Sequence, residues 1–109
     1  MTTQEIGGAE GADDEPVVHG RIRVDPGAAV ATLDGERLDL TPKEFALLVL
    51  FVSNPGRLLR RKYIGAIVWG GDAPGRTIDV HVARLRNRLP VGAVETVIRL
   101  GYRFVLQPC

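Results

Sequence analysis

The sequence Arg76-Thr77-Ile78-Asp79-Val80-His81-Val82-Ala83-Arg84-Leu85-Arg86-Asn87-Arg88-Leu89 decides how the rest of the chain must fold. Its apolar residues recur at helical spacing and share one face, which consists of Ile78, Val82, Leu85 and Leu89. The opposite face is cationic and contains no carboxylate; its members are Thr77, Val80, His81, Arg84, Asn87 and Arg88. We therefore predict a helix over residues 76–89 that buries one face in a core and turns the other toward an anion.

The side chains of the cationic face suit a nucleic acid better than a lipid surface. Arginine binds guanine or phosphate bidentately, whereas threonine, histidine and asparagine can bond to base edges. Arg84 lies at the middle of the face and is the best base reader, while Arg76 and Arg88 are placed to contact phosphate. Val80 can meet a thymine methyl group. The alternative at this point is an ordinary solvated helix face.

Charge is distributed very unevenly along the 109 residues, which are enough for one domain. Residues 1–40 hold three arginines against nine acidic residues, a net charge of −6. Residues 41–109 hold eleven basic against four acidic residues, a net charge of +7, although the whole chain carries only +1. A basic C-terminal part is typical of a nucleic-acid-binding protein.

Several classes of protein are disfavoured by composition. No apolar run approaches the ~20 residues that span a bilayer, and the N-terminus lacks the pattern of a signal peptide, so we expect a cytoplasmic protein without a membrane partner. The single cysteine, Cys109, cannot form an internal disulfide. His19 and His81 lack metal-ligand spacing, and no glycine-rich phosphate loop with lysine occurs. We therefore expect no metal, no cofactor and no enzymatic activity.

The segment before the first helix divides into a tail and a small sheet. Residues 1–16 have no apolar period and are predicted to be a disordered acidic tail or linker, with the domain itself over residues 17–107. Asp34-Gly35 is a strong hairpin turn, and His19 is expected to be an exposed strand residue. The predicted antiparallel strands cover residues 17–24, 28–33 and 36–40.

Two helices and a hairpin complete the pattern. Thr41-Pro42-Lys43-Glu44 predicts a capped helix start, and Asn54-Pro55-Gly56 predicts its end. A second helix is expected over residues 61–69, with an apolar stripe made of Tyr63, Ile64, Ile67 and Val68. The remaining predicted segments are an extended connector at 57–59, a loop at 70–75, and two strands at 94–98 and 102–106.

This order of elements predicts an α+β winged helix-turn-helix. It has an N-terminal antiparallel β platform, three helices and a C-terminal β-hairpin wing. The third helix, residues 76–89, would enter the major groove of duplex DNA. The wing, residues 94–106, would lie on the adjacent backbone or in the minor groove.

Five motifs resemble the OmpR/PhoB family, the winged-helix effector domains of bacterial response regulators. The resemblance covers about residues 20–106 and depends on the order and spacing of all five motifs together. They are Leu40-Thr41-Pro42-Lys43-Glu44-Phe45 followed by Leu47-Leu48, Asn54-Pro55-Gly56, Val68-Trp69-Gly70, Arg76 through Arg86, and Gly101-Tyr102-Arg103-Phe104.

The resemblance implies sequence-specific binding of double-stranded DNA in bacterial transcription regulation, in two-component phosphorelay systems. It also implies tandem homodimers on direct repeats and, through the loop at 70–75, a contact with RNA polymerase; this loop is short for the family. The DNA contacts implied by the matching motifs are Arg76, Thr77, His81, Arg84, Arg86 and Arg88, joined by Thr96 in the wing and by Arg60, Arg61 and Lys62 at the start of the second helix.

Some alternatives stay open. The family wing usually reads TVRGxGY, but here Ile98 stands at the arginine position and the arginine follows at Arg99, so insertion of Arg99 into the minor groove is undecided. Arg86 either contacts DNA or pairs with Asp79 or a neighbouring element. Residues 1–20 cannot hold a receiver domain, which leaves an excised effector domain or a free-standing winged helix. The alternative function is a winged-helix protein-interaction module without specific DNA binding.

Overall fold

We describe residues 15–71 and 73–105 of a computed structural model of the chain. The predicted tail at residues 1–16 lies outside the described residues, except for Glu15 and Pro16. The described part is an α+β domain with its elements in the order β1 (Val17–His19), β2 (Ile22–Asp25), β3 (Val30–Leu33), β4 (Glu36–Arg37), α1 (Pro42–Val52), β5 (Leu58–Arg60), α2 (Arg61–Val68), α3 (Gly75–Arg86), β6 (Val94–Val97) and β7 (Gly101–Phe104).

The N-terminal platform is an antiparallel sheet in the order β1-β2-β3-β4. The prediction of one strand over residues 17–24 is wrong, because the chain reverses at Gly20-Arg21 and pairs Val17 with Val24. Gly20 has φ of 61° at the first position of this two-residue turn, where a left-handed conformation favours glycine. A Gly-X hairpin was thus hidden in an apparently continuous strand.

The later platform strands are shorter than predicted. The predicted strand at 28–33 begins only at Val30, because Ala29 is part of a turn with φ of 54°. The strand predicted at 36–40 ends at Arg37. The turn between these strands is confirmed, since Asp34 and Gly35 have φ of 55° and 85°.

Helix α1 starts as the sequence predicts and forms the centre of the core. Thr41 Oγ1 accepts a hydrogen bond from the Glu44 N–H at 3.2 Å, and the Glu44 carboxylate accepts one from the Thr41 N–H at 3.1 Å. This reciprocal cap satisfies two donors that the helix itself leaves open. The apolar side chains buried by α1 are Leu47, Leu48, Leu50, Phe51 and Val52.

Helix α2 buries only part of its predicted apolar stripe. Within the predicted apolar stripe Ile64 is fully buried, whereas Tyr63 and Ile67 are 45% and 55% exposed. The helix has only eight residues and packs against α1 and α3. Helical period identifies which side is apolar, whereas the neighbours decide how much of that side is covered.

The predicted connector before α2 is strand β5. It pairs with β7 and makes the wing a three-stranded sheet in the order β5-β7-β6. The wing strands each lie within one residue of the predicted starts and end at Val97 and Phe104, with residues 98–100 as the turn. His19 of β1 is half-buried rather than exposed, because its ring packs edge-on against Phe104 with centroids 5.1 Å apart.

Helix α3 covers Gly75–Arg86 rather than 76–89, and Asn87 is its C-terminal cap. Arg88 and Leu89 lie in the turn that follows. The predicted core face is confirmed, since its four members are all 7% exposed or less: Ile78, Val82, Leu85 and Leu89. The opposite face is therefore turned away from the core.

Candidate nucleic-acid interface

The outward face of α3 and its C-terminal turn gathers seven of the predicted site residues on one side. Arg76, Val80, Arg84, Asn87 and Arg88 are exposed, whereas Thr77 and His81 are half-buried. The three arginines make no hydrogen bond or ion pair to any residue in the described ranges. Their guanidinium groups are thus free to bind an external anion or a base edge.

Two of these arginines share a cleft with the start of α1. Arg84, Asn87 and Arg88 line a space of about 290 Å³ together with Glu44. The Glu44 carboxylate is 4% exposed and accepts from the Thr41 N–H, so it serves as the helix cap. Sequence reasoning missed this neighbour, because residues 44 and 84 are brought together only by the packing of α1 on α3.

His81 is held on the flank of the face by two contacts. Its Nδ1 lies 2.8 Å from the Thr77 carbonyl oxygen, and its ring packs edge-on against Trp69 with centroids 5.1 Å apart. A carbonyl only accepts, so Nδ1 carries the proton and Nε2 is an acceptor in the neutral ring. Trp69 in turn lies 5.5 Å from Lys43 Nζ, which donates to the Val68 carbonyl.

Asp79 connects α3 to α2 and to the wing. One of its carboxylate oxygens accepts from Arg61 Nε at 2.8 Å and from the Tyr102 hydroxyl at 2.5 Å. Arg61, which the family motif places near phosphate, is therefore engaged within the protein. Lys62 beside it is exposed and has no partner among the described residues.

Arg86 contacts the wing directly. Its guanidinium donates to the Thr96 hydroxyl and lies 5.3 Å from the centre of the Tyr102 ring. The Arg61 guanidinium lies 5.2 Å from the centre of the same ring, so Tyr102 is in contact with two cations. The sequence left open whether Arg86 contacts DNA or pairs with Asp79 or a neighbouring element. In the structure its hydrogen-bond partner is a neighbouring element, strand β6 of the wing. The role of Tyr102 was missed, although the sequence motif around it was recognised.

The electrostatics of Asp79 follow from these contacts. Burial raises the pKa of its carboxyl group, but hydrogen bonds from Tyr102 and Arg61, with the charges of Arg61 and Arg86, outweigh it and leave the pKa below its ordinary value. Burial and the hydrogen bond to Asp79 raise the pKa of the Tyr102 hydroxyl. The ionised carboxylate and the neutral phenol are thus the forms that the fold favours.

Asp79→Asn is expected to lower the free energy of unfolding by about 1 kcal/mol at neutral pH, because a half-exposed charged pair is partly screened. The folded-state pKa lies below the ordinary 3.8, so the contribution of Asp79 is present above that value and is lost as the pH falls through the lower folded-state pKa. Urea unfolding at several pH values measures the free energy of unfolding and its dependence on pH.

The matched control for that measurement is Asp39→Asn. Asp39 is exposed beside the platform and has no partner among the described residues. The difference in free energy of unfolding between wild type and Asp79→Asn should become smaller in acid. Asp39→Asn should have nearly the wild-type free energy of unfolding at every pH. Equal losses in both variants at neutral pH would contradict a stabilising role for Asp79.

The wing tip presents an arginine between two exposed apolar side chains. Arg99 has φ of 68°, a left-handed conformation that non-glycine residues rarely adopt. Ile98 and Leu100 on either side are 78% and 39% exposed. Sequence reasoning placed Arg99 among the site residues, named Ile98 only as a departure from the family motif, and did not consider Leu100.

Within residues 15–71 and 73–105, no helix is long and apolar enough to cross a membrane. The same ranges contain no group of three or more His, Cys, Asp and Glu side chains that could hold a metal ion.

Comparison with known sequences gives a consistent set of relatives. A family model described as "Transcriptional regulatory protein, C terminal" matches residues 35–104. The transcriptional regulatory protein QseB of Escherichia coli O157:H7 is 44% identical over 86 residues, which cover 77% of this chain and 39% of QseB. The response regulator protein PmrA of Pseudomonas aeruginosa is 39% identical over 88 residues, covering 79% and 40%. The chain thus spans about two fifths of these relatives.

A solved structure shares the fold described above. The DNA-binding domain of RstA from Klebsiella pneumoniae, solved in complex with the RstA box, superposes with a TM-score of 0.76 at 26% sequence identity. The match covers 84% of this chain and 97% of the RstA domain. The winged-helix architecture predicted from the order of elements is thereby confirmed.

Proposed function

The chain belongs to the family of C-terminal DNA-binding domains of transcriptional regulatory proteins, the OmpR/PhoB type, and we propose that it binds specific duplex DNA sequences to regulate bacterial transcription. The observation that carries the proposal is the exposed face of α3, where three unpartnered guanidinium groups accompany base-reading side chains. The members of this family are transcription-factor domains, not enzymes.

In this proposal α3 enters the major groove. Arg84, central on the face, donates to the acceptors of a guanine, and Asn87 beside it bonds to a base edge. Val80 meets a thymine methyl group, while Thr77 and the oriented His81 contact base or backbone. Arg76 and Arg88 bind phosphates at the two ends of the helix.

The other residues predicted to contact DNA differ in whether they already have partners within the protein. Lys62 is exposed and binds a phosphate beside the groove. Arg61, Arg86 and Thr96 already have partners inside the protein, so any contact they make with DNA is shared with those partners. Their main contribution in this proposal is to hold α2, α3 and the wing in register.

The wider setting in this proposal follows from the resemblance to the OmpR/PhoB family and from the sequence composition. The domain acts in the cytoplasm as the effector part of a two-component regulator, and two copies bind in tandem on direct repeats. A contact with RNA polymerase through the loop at 70–75 is the least supported part, because this loop is short for the family.

Selection of sites from random duplex DNA at near-physiological salt tests the proposal. We expect an enriched motif that recurs as a direct repeat about 10 base pairs apart. Affinity for that motif should fall steeply with salt, with a logarithmic slope of about −0.9 per phosphate contacted, because bound counterions are released.

The outcome that would favour the protein-interaction alternative is equally specific. A chain that selects no motif, even when two copies are joined by a dimerising fusion, would contradict specific DNA binding. Arg23→Ala is a suitable control for general charge effects, since Arg23 is exposed in the platform strand β2 rather than on α3.

A further inference from the structure

The wing tip is a tight turn with two exposed apolar side chains and one residue in left-handed backbone. A hydrogen bond from the Leu100 N–H to the Val97 carbonyl, at 2.9 Å, closes the turn, and Val97 pairs with Gly101 directly below it. Ile98 remains 78% exposed at this closed tip. Left-handed backbone at a non-glycine residue, here Arg99, is uncommon and concentrates at functional sites.

The orientation of the tip is linked to α3. Thr96 of β6 accepts from Arg86, and Tyr102 of β7 donates to Asp79, so both wing strands are tied to α3. A DNA duplex that receives α3 in its major groove would therefore meet the wing on its flank. The tip is thus continuous with the proposed DNA-binding face.

The charge of the tip suits DNA better than a cationic partner. Residues 98–100 carry one arginine and no carboxylate, and Arg99 has no partner among the described residues. The acid on β6, Glu95, forms an ion pair with Arg103 at 3.6 Å. An apolar tip with a single cation resembles the apolar side chains that some proteins insert into the minor groove.

We propose that Ile98 and Leu100 enter the minor groove beside the site read by α3, wedge open a flexible base step and bend the duplex, while Arg99 contacts the backbone. This inference rests on the proposed function. It differs from insertion of an arginine, which is attracted by the negative potential of a narrow A-tract groove. An isoleucine gains from burial instead and favours steps that unstack easily, such as TA and CA.

The test measures affinity and DNA bending on the selected site, using a duplex labelled for energy transfer at its ends. The wild-type domain should bend the site by about 20° or more, and Ile98→Ser should bind about three- to tenfold more weakly and bend less. Val91→Ser is the matched control, because Val91 is a fully exposed apolar residue in a different turn. It should change neither quantity.

A second, double variant replaces the apolar wing tip by an arginine that can enter the minor groove. Ile98→Arg combined with Arg99→Gly gives the wing the order Thr-Val-Arg-Gly and relieves the left-handed arginine. Repeating the selection with this variant should shift the flanking sequence from flexible steps toward A-tracts, with less bending. An unchanged flank would contradict the role of Ile98 in sequence preference.

The remaining outcomes separate this inference from the proposed function. If the wild type leaves the site straight and Ile98→Ser binds equally well, while Arg84→Ala loses specificity, DNA binding stands and the wedge is overturned. If Ile98→Ser instead abolishes self-association measured by sedimentation without DNA, the tip is a protein contact and the wedge is again overturned. If no site is selected at all, both proposals fall.

Discussion

Replacing Gly101 by alanine is expected to lower the free energy of unfolding by about 3 kcal/mol or more, the upper end for overpacked sites. A Cβ atom at this position would lie 2.0 Å from the Leu59 carbonyl oxygen and 2.9 Å from Arg60 Cα. Both are backbone atoms of β5, so no side chain can rotate away to make room. The central wing strand would have to separate from β5.

The loss should extend to DNA binding. Gly101 pairs with Arg60 on one side and with Val97 on the other, and it directly precedes Tyr102. Displacing β7 pulls the Tyr102 hydroxyl away from Asp79 and releases the wing from α3. We expect weaker binding even at temperatures where the domain is folded.

Urea unfolding followed by the fluorescence of Trp69 measures the effect, and Gly71→Ala is the control. A Cβ at Gly71 would meet nothing within 4 Å, so this variant should stay within about 0.5 kcal/mol of wild type. A similarly small change for Gly101→Ala would show that β7 can move away from β5 with little loss of stability.

Arg84→Ala should remove base discrimination at one position of the binding site, with a cost of about 1–3 kcal/mol in binding free energy. Arg84 is exposed and has no partner among the described residues, so the free energy of unfolding should change little. Titration against the selected site and its single-base variants measures both the affinity and the discrimination.

Alanine variants of two other arginines show whether Arg84 reads a base or only contacts phosphate. Arg88→Ala should weaken binding to all sequences alike and reduce the salt slope by about 1, as expected for a phosphate contact. Arg23→Ala, in the platform, should do neither. A uniform loss for Arg84→Ala across all base variants would refute its role as a base reader and make it a phosphate contact.

The features that were predicted correctly from the sequence share a local origin. The start of α1 depends on Thr41, Pro42 and Glu44, which lie within one turn of each other. The buried face of α3 follows from apolar side chains spaced by one helical period. The turn at Asp34-Gly35 requires two left-handed residues, a demand that few dipeptides meet.

The errors arose where the local signal was ambiguous. The platform hairpin at Gly20 was missed because apolar residues continue in strand-like order on both sides of the turn. The apolar stripe predicted for α2 left the burial of its members undetermined, since the helical period shows only which side of a helix is apolar. The elements that pack against α2 cover Ile64 and leave Tyr63 and Ile67 exposed.

The sequence by itself determined the winged-helix order, the two faces of α3 and the candidate base reader, because each depends on residues close together in the chain. Only the tertiary structure decided which cations are free. It engaged Arg61 with Asp79 and Arg86 with Thr96, and it left Arg76, Arg84 and Arg88 open. These pairings join residues 10 and 18 positions apart, and the link from Asp79 to Tyr102 joins residues 23 apart. No helical or strand period encodes such a distance, so the packing of α2 and of the wing sheet on α3 had to supply it.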